Sequence, residues 1–290
     1  MSRLEVIAPG ASALVQDLGR PGLAHLGVGA AGAADRAAHA LADRLVGNPP
    51  EAATLEIAVG GARLRFPDGA WIAVTGAWGP LTIDGMPLEP HTATRVSAEA
   101  VVDLPLATHG IRYVLAVRGG IDVPVVLGSR SRDTLAALGP APLAAGDVLP
   151  IGPEPATPVP VVDLVPVDPP TLGTIDLVVH PGPRLDWFAP DTWRRLLEQE
   201  WTVSARSDRT GVRLEGAPLE RSRSGELPSE GMLPGAIQVS PDGAPTVLGV
   251  DGPVTGGYPV VAVVTSHALD RLAQARPGQR IRFVGAALHV

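Results

Sequence analysis

The sequence contains neither lysine nor cysteine, and each absence excludes a group of chemistries. All 23 basic side chains among the 290 residues are arginine. Without lysine, the chain cannot form a Schiff base, anchor pyridoxal phosphate, carry covalent biotin or build a phosphate loop around a lysine. Without cysteine, it has no thiol nucleophile, no disulfide and no thiolate-bound metal.

Aromatic residues are also scarce, at 3% of the chain, so the core must consist of valine, leucine, isoleucine and alanine. Glycine and proline, with 34 and 31 residues, make up about 22% of the chain against a usual ~12%. This composition favours many short strands joined by tight turns over a helical bundle.

The net charge and the hydropathy indicate which partners and which compartment to expect. A net charge of −7 argues against general nucleic-acid binding. We find no apolar run of ~18 residues and no signal-peptide pattern at the start. We therefore expect a cytoplasmic protein with neither nucleic acid nor membrane as a partner.

Local patterns predict a mainly β protein with a few short helices. Strands are expected at 54–59, 62–66, 71–75, 112–117, 175–180, 237–240, 259–265 and 280–284. Helices are expected at 33–46, 191–200 and 266–275, with Asp191 and Ser266 as caps and a C-cap at Gly47 and Asn48. Because strands and helices do not alternate, a doubly wound sheet is not expected.

The chain is expected to fold as two β domains, at 1–152 and 174–290, joined by a proline-rich linker or crossover at 153–173. Segment 6–10 matches 178–182, and 55–66 matches 272–283, which suggests a duplication with unequal insertions. Exchange of strands between the halves stays open.

Several familiar motifs are absent or incomplete. Residues 27–32 read GxGxxG, but proline and glycine interrupt the preceding segment, which argues against dinucleotide binding. Anion binding at the following helix N-terminus remains an alternative. The seven histidines show no metal-binding spacing, and no nucleophile elbow exists. General acid–base catalysis is therefore assigned to carboxylates, and stabilisation of a phosphate or an oxyanion to arginine and backbone N–H groups.

Polar loops supply the candidate site residues. In the first half, carboxylate or phosphate binding is assigned to Gln16, Asp17, Arg20, Arg118, Arg130 and Arg132, although structural Asp–Arg pairing explains several of them equally well. In the second half, Thr255 joins that binding set. The catalytic candidates are Asp208, Arg209, Glu230, Gln238, Asp251 and Tyr258, and a magnesium ion on the carboxylates stays open.

Ten ordered motifs carry a family resemblance. They are QDLGR at 16–20, GAAD at 32–35, LVGN at 45–48, LE at 55–56, RGGID at 118–122, LGSRSRDT at 127–134, SDRTGVRL at 207–214, SEGM at 229–232, GAIQV at 235–239 and TGGYP at 255–259. With these motifs the chain resembles the allophanate hydrolase subunit 2 family, which is also called the biotin-dependent carboxyltransferase family and includes the C-type subunit of 5-oxoprolinase.

The resemblance implies two cyclophilin-like β-barrel domains and two partners, a subunit 1 homologue (the B-type subunit of 5-oxoprolinase) and an A-type subunit. It implies ATP-dependent opening of 5-oxoproline to glutamate, with ATP and magnesium bound by this chain or by the complex. One alternative is carboxyl transfer to a urea-like substrate, with biotin on another protein because this chain has no lysine. A chain without carboxylase or carrier segments is expected to fit the oxoprolinase better. A second alternative is a non-catalytic regulator of the subunit 1 protein.

Overall fold

A computed structural model describes residues 2–161, 165–223, 225 and 227–286. The chain divides into two compact units, each made of several segments. Unit 1 comprises residues 1–20, 35–133 and 137–170, and unit 2 comprises 21–34, 134–136 and 171–290. Residues 162–164 of the expected linker, and 224, 226 and 287–290 of the expected second domain, lie outside the described residues. The division at 153–173 stays a prediction.

Unit 1 contains two antiparallel sheets and one helix. Its elements are β1 (Arg3–Pro9), β2 (Ser12–Gln16), α1 (Arg36–Val46), β3 (Thr54–Ala58), β4 (Ala62–Phe66), β5 (Ala70–Trp78), β6 (Thr82–Ile83), β7 (Met86–Pro87), β8 (Thr94–Val96), β9 (Ala100–Leu104), β10 (His109–Val117) and β11 (Val148–Pro150). The strand orders are β11-β1-β4-β9-β6-β7 and β2-β3-β10-β5-β8.

One apolar core lies between the two sheets of unit 1. Alternating side chains of β4, such as Leu64 and Phe66, point into it and are fully buried. Outside the second sheet, α1 packs through small residues, including Ala38 and Ala42, against Ala73 of β5. Small side chains on both surfaces let the helix approach the sheet closely, which suits a sequence poor in aromatics.

Unit 2 is built around a closed barrel of seven strands. Its elements are β12 (Ile175–Pro181), α2 (Thr192–Glu198), β13 (Glu200–Val203), β14 (Gly211–Glu215), β15 (Glu230–Gly231), β16 (Ala236–Val239), β17 (Pro245–Leu248), β18 (Thr255–Gly256), β19 (Val260–Val264), α3 (Ser266–Ala273) and β20 (Arg280–Gly285). The barrel order is β12-β19-β16-β17-β14-β13-β20, and β15 pairs with β18 outside it.

The barrel closes where β12 and β20 pair in parallel, from Ile175 opposite Ile281 to Val179 opposite Gly285. The core inside contains Trp201, which is fully buried and lies 6.5 Å from Phe283 between ring centroids. The Trp201 indole N–H donates to the carbonyl of Leu196, so this large side chain is buried with its polar atom satisfied.

The mainly β fold is confirmed, and the observed bounds of the strands agree closely with the predicted ones. Strand 62–66 matches at both ends, and most others differ by one residue at an end. The strands predicted at 71–75 and 112–117 are longer, because β5 and β10 continue through a register shift between His109 and Tyr113 that hides the alternation. In the described residues, no helix is long and apolar enough to cross a membrane.

The predicted helix caps are partly wrong. Helix α1 begins three residues later than expected, because Asp35 occupies the N-cap and its carboxylate accepts a hydrogen bond from the Ala38 N–H. Its C-cap at Gly47 is confirmed, with a left-handed φ of 71°. Asp191 is the N-cap residue of α2 as predicted, although its side chain makes no capping hydrogen bond. The cap predicted at Ser266 is wrong, because Thr265 is the N-cap and Ser266 is already the first residue of α3.

The two sequence matches between the halves correspond to different structural relationships. Segments 6–10 and 178–182 include the ends of β1 and β12, the first strand of each unit's sheet structure. Segments 55–66 and 272–283 end in β4 and β20, but β4 pairs antiparallel with β1 whereas β20 pairs parallel with β12. The second match therefore joins strands in different pairings and does not support a duplication.

A buried polar pair lies on the inner face of α1. His39 and Asp43 are 0% and 1% exposed, and His39 Nε2 is 3.4 Å from Asp43 Oδ2. His39 Nδ1 lies 3.0 Å from Thr54 Oγ1, and Asn48 donates to Asp43 Oδ1 at 3.0 Å. Burial raises the pKa of Asp43 to about 7 and lowers the pKa of His39, so near neutral pH His39 is uncharged and Asp43 is only partly ionised.

The raised pKa of Asp43 predicts a pH-dependent stability. Because folding favours the protonated acid, the stabilisation is complete below the ordinary pKa of 3.8 and is lost as the pH rises through about 7. Asp43→Asn mimics the protonated acid. We expect its stability relative to wild type to increase from pH 4 to pH 8, by on the order of 3 kcal/mol.

Urea unfolding across this pH range would measure the difference, with Glu99→Gln as a control for an exposed carboxylate of the same unit. A constant difference between Asp43→Asn and wild type would contradict a raised pKa for Asp43.

Candidate functional site

The Asp17 carboxylate connects two loops of unit 1. Asp17 follows β2 directly, and its Oδ1 accepts hydrogen bonds from the Ser129 and Ser131 hydroxyls at 2.6 and 2.5 Å and from the Gly19 N–H at 2.7 Å. Oδ2 accepts from the Arg130 N–H at 2.6 Å. Four donors surround this one carboxylate, three on Oδ1 and one on Oδ2, so most of its acceptor positions are occupied within the protein.

These contacts also determine the charge of Asp17. Burial alone would raise its pKa, but the hydrogen bonds from Ser129, Ser131 and the backbone outweigh burial and lower the pKa below its ordinary value. Asp17 is therefore an anion that braces the loops. The pKa of a general base would instead lie nearer to neutral pH.

Gln16 and Arg20 hold the same loop from the other side. Gln16 Nε2 donates to the carbonyl of Arg132 at 3.0 Å, and Arg20 Nη2 donates to the carbonyl of Ser131 at 2.5 Å. Gln16 and Arg20 are 0% and 2% exposed. The structure thus brings the QDLGR and LGSRSRDT motifs together, with side chains of one motif binding the backbone of the other.

The remaining arginines assigned to unit 1 also bind backbone carbonyls. Arg118 donates to Val46 and Pro155 at 2.8 and 2.7 Å, and therefore ties the end of α1 to the proline-rich segment. Arg130 donates to Val123 at 3.0 Å and to the Asp122 carboxylate at 2.8 Å. Arg132 donates to Ala137 at 3.1 Å. These contacts favour structural roles, and phosphate binding by these arginines stays a prediction.

In unit 2, Arg209 and Asp251 form a buried ion pair. Arg209 Nε and Nη2 donate to the two Asp251 carboxylate oxygens at 2.8 and 3.0 Å, and the side chains are 6% and 0% exposed. Arg209 Nη2 also donates to the Gly32 carbonyl at 2.6 Å, and Asp251 accepts from the Thr134 N–H and hydroxyl at 3.0 and 2.6 Å. The pair fastens the short segments 21–34 and 134–136 to the rest of unit 2.

A second group, which we call the Gln238 cluster, contains Gln238, Tyr258, Met232, Gly256 and Arg221. Gln238 Nε2 lies 3.3 Å from Met232 Sδ and 3.4 Å from the Tyr258 carbonyl. The Arg221 guanidinium lies 5.6 Å from the centroid of the Tyr258 ring, which is 47% exposed. A Cβ on Gly256 would lie 2.5 Å from Gln238 Nε2, so a larger residue there would displace the Gln238 amide. The cluster is partly open to solvent.

Glu230 begins β15, which pairs with β18 beside the Gln238 cluster. Both Glu230 oxygens accept from the Arg184 guanidinium, with Nε to Oε2 at 3.0 Å. Thr255 lies opposite Gly231 on β18 and is exposed. The Asp208 carboxylate is engaged in its own turn, where Oδ1 accepts from the N–H groups of Thr210 and Gly211.

Two observations bear on whether this chain holds a metal or a nucleotide. In the described parts of the chain, no group of three or more His, Asp or Glu side chains is placed to hold a metal ion. The carboxylate of Asp35 already occupies the N-terminus of α1, where the GxGxxG alternative would place an anion. Binding of ATP and magnesium, by this chain or by the complex, stays a prediction.

Several residues of these networks were not assigned from the sequence. Ser129, Ser131 and Thr134 lie inside a quoted motif, and their hydroxyls donate to Asp17 or Asp251. Arg184 and Arg221 lie outside every quoted motif. The proline and glycine turn at 181–183, directly after a strand, was the available signal for Arg184, whereas Arg221 had none.

The buried pair predicts a large effect on stability. Asp251→Asn keeps an acceptor for Thr134 but removes the charge that faces the buried Arg209 guanidinium, so we expect a loss of about 3–5 kcal/mol in urea unfolding. Glu200→Gln removes one partner of the exposed pair with Arg280 and should cost less than about 1 kcal/mol. Equal losses in the two variants would contradict a stabilising role of the Asp251 charge beside Arg209.

Comparison with known proteins places this geometry in a family. The chain is 35% identical to the C-type subunit of 5-oxoprolinase from Escherichia coli K12 over 288 residues, covering 98% of this chain and 92% of the relative. It is 30% identical to the C-type subunit from Haemophilus influenzae, with the same coverages.

The solved structure of the K. lactis urea amidolyase superposes with a TM-score of 0.89 at 32% identity, and the match covers 98% of this chain but 19% of that one. The family described as "Carboxyltransferase domain, subdomain A and B" matches residues 26–285. The chain therefore belongs to this carboxyltransferase domain family, which confirms the resemblance carried by the ten motifs.

Proposed function

We propose that this chain is one component of an ATP-dependent amide hydrolase that opens 5-oxoproline to glutamate. One observation carries the proposal: the match to the C-type subunit of 5-oxoprolinase spans 92% of that relative, whereas the match to the urea amidolyase structure spans 19% of its chain. By this proposal the active enzyme is a complex with homologues of the A-type and B-type subunits.

The Gln238 cluster is the part of unit 2 best suited to hold a small amide. Gln238 is 8% exposed, and its Nε2 is oriented by the Tyr258 carbonyl and Met232. With Nε2 turned inward, Oε1 is the acceptor left for a lactam N–H, among the contacts of the described residues. The Tyr258 hydroxyl is a donor that can bind a carbonyl or carboxylate oxygen.

The Glu230–Arg184 pair adds charge of both signs beside this cluster. The side chains are 24% and 37% exposed, so both partners remain accessible to a polar ligand. The guanidinium of Arg184 suits the substrate carboxylate. Glu230 can take a proton from an attacking water only if a substrate draws Arg184 away, because the two now neutralise each other.

ATP supplies the activation of the lactam carbonyl in the proposed reaction. Since the arginines of unit 1 bind backbone carbonyls and Asp208, Glu230 and Asp251 each have other partners, we propose that ATP and magnesium bind elsewhere in the complex. This chain would then contribute the orientation of the lactam.

A carboxyltransferase function is the second candidate, favoured by the family description and by the urea amidolyase match. Biotin would have to arrive on another protein, because this chain has no lysine to carry it. The same cluster would then bind a urea-like amide, which presents a similar pair of N–H and C=O groups.

Reconstitution with homologues of the A-type and B-type subunits separates the two candidates. We expect 5-oxoproline to stimulate ATP hydrolysis by the complex, with glutamate as the product. Biotin-dependent transfer of labelled bicarbonate, without stimulation by 5-oxoproline, would favour carboxyl transfer instead.

The reconstituted complex also tests the cluster. Gln238→Leu removes the amide that orients the substrate, so we expect turnover to fall by about 100-fold. Glu200→Gln, on the same barrel, serves as the matched control and should leave turnover unchanged. Wild-type turnover in Gln238→Leu would exclude the cluster from the reaction, whatever the substrate.

A further inference from the structure

A cavity of about 880 Å³ lies in unit 1, within the size range of small-molecule sites. Leu45 of α1 forms one wall, Trp71 and Trp78 of β5 form another, and residues 89–93 and 165–168 contribute to the remainder. None of the site residues discussed above lines it. A ligand bound in this cavity would therefore not depend on the proposed hydrolase function.

The lining carries negative charge only. Glu89, His91 and Asp168 are its titratable groups among the described residues, and the described lining contains no arginine although the chain has 23 basic residues. Burial lowers the pKa of His91, so its imidazole is neutral near pH 7. A cation is therefore favoured in this cavity, and an anion would face two carboxylates.

Aromatic rings are concentrated in the same place. Two of the five tryptophans of this aromatic-poor chain line the cavity. The ring of His91 lies 5.3 Å from that of Trp78, with an angle of 39° between their planes. Indole faces attract cations, most strongly when the cation is partly removed from water.

His91 is held in an unusual conformation. Its φ is 58°, in the left-handed region, although it is only 6% exposed and its N–H donates to the Val74 carbonyl at 2.8 Å. A non-glycine residue at positive φ costs free energy, and such residues concentrate at binding sites. This backbone conformation places the imidazole against the ring of Trp78.

We propose that this cavity binds a small organic cation with an apolar body, such as an aromatic amine. The ammonium group would lie near Glu89 and Asp168 and against an indole face. The apolar body would contact Leu45, Ala93 and the valines and prolines of the proline-rich segment, which supply the remaining lining surface.

Three probes of similar size test the charge preference on the full chain. Phenethylamine is the cation, 2-phenylethanol the neutral control and 3-phenylpropanoate the anion. We expect tryptophan fluorescence and calorimetry to show saturable binding of the amine, with a dissociation constant at least about tenfold lower than for either control.

Substitutions then locate the site. Glu89→Gln combined with Asp168→Asn should weaken amine binding by about tenfold and leave binding of the alcohol unchanged. Glu99→Gln removes an exposed carboxylate of the same unit that does not line the cavity, and it should have no effect. Trp71→Leu should weaken binding of the amine by a similar factor. Circular dichroism would show that this variant still folds.

Equal affinities for the three probes would overturn the proposal. Binding of the amine that does not saturate up to about 10 mM would also overturn it. An equal loss of amine affinity in Glu99→Gln and in the double variant would do the same. These outcomes are independent of the oxoprolinase assay, so this proposal can fail while the proposed function stands.

Discussion

The hydrogen bonds of the Asp17 carboxylate are the interaction on which the loops of unit 1 depend. Its side-chain and backbone donors at 129–131 are 112 to 114 residues away in sequence. By holding them, Asp17 fixes the carbonyls that Gln16 and Arg20 bind in turn. Removing such an anion would leave several buried donors unsatisfied at once, which costs more than one lost hydrogen bond.

The same physical constraint explains why so many arginines are structural. A chain rich in glycine and proline has long loops, and each buried carbonyl that no strand pairs needs another donor. Arg118, Arg130 and Arg132 supply those donors in unit 1, and Arg209 does so for Gly32 in unit 2. The Gln238 cluster differs because part of it faces solvent, which leaves polar groups available to a ligand.

Sequence patterns predicted the fold better than the site. Strand Ala62–Phe66 was predictable to the residue because its side chains alternate between buried and exposed. Two-residue strands such as Thr255–Gly256 are too short to show a period, and they form only because a partner strand is present. The polar loops were recognisable, but which of them meet depends on pairings more than a hundred residues apart. Asp208 illustrates this limit of sequence prediction, because its carboxylate accepts a hydrogen bond within its own turn and was nevertheless assigned to catalysis.

The parallel pairing of β12 with β20 has a consequence for synthesis. The first barrel strand begins at Ile175 and its closing partner at Arg280. At about 5–20 residues per second, a ribosome needs roughly 5–20 s to make the intervening chain. For most of that time neither partner strand of β12, β19 or β20, has been made, and the edge that faces β20 stays open to other chains the longest. The order of synthesis therefore makes the last barrel strand a safeguard against aggregation, because its arrival removes the exposed edge.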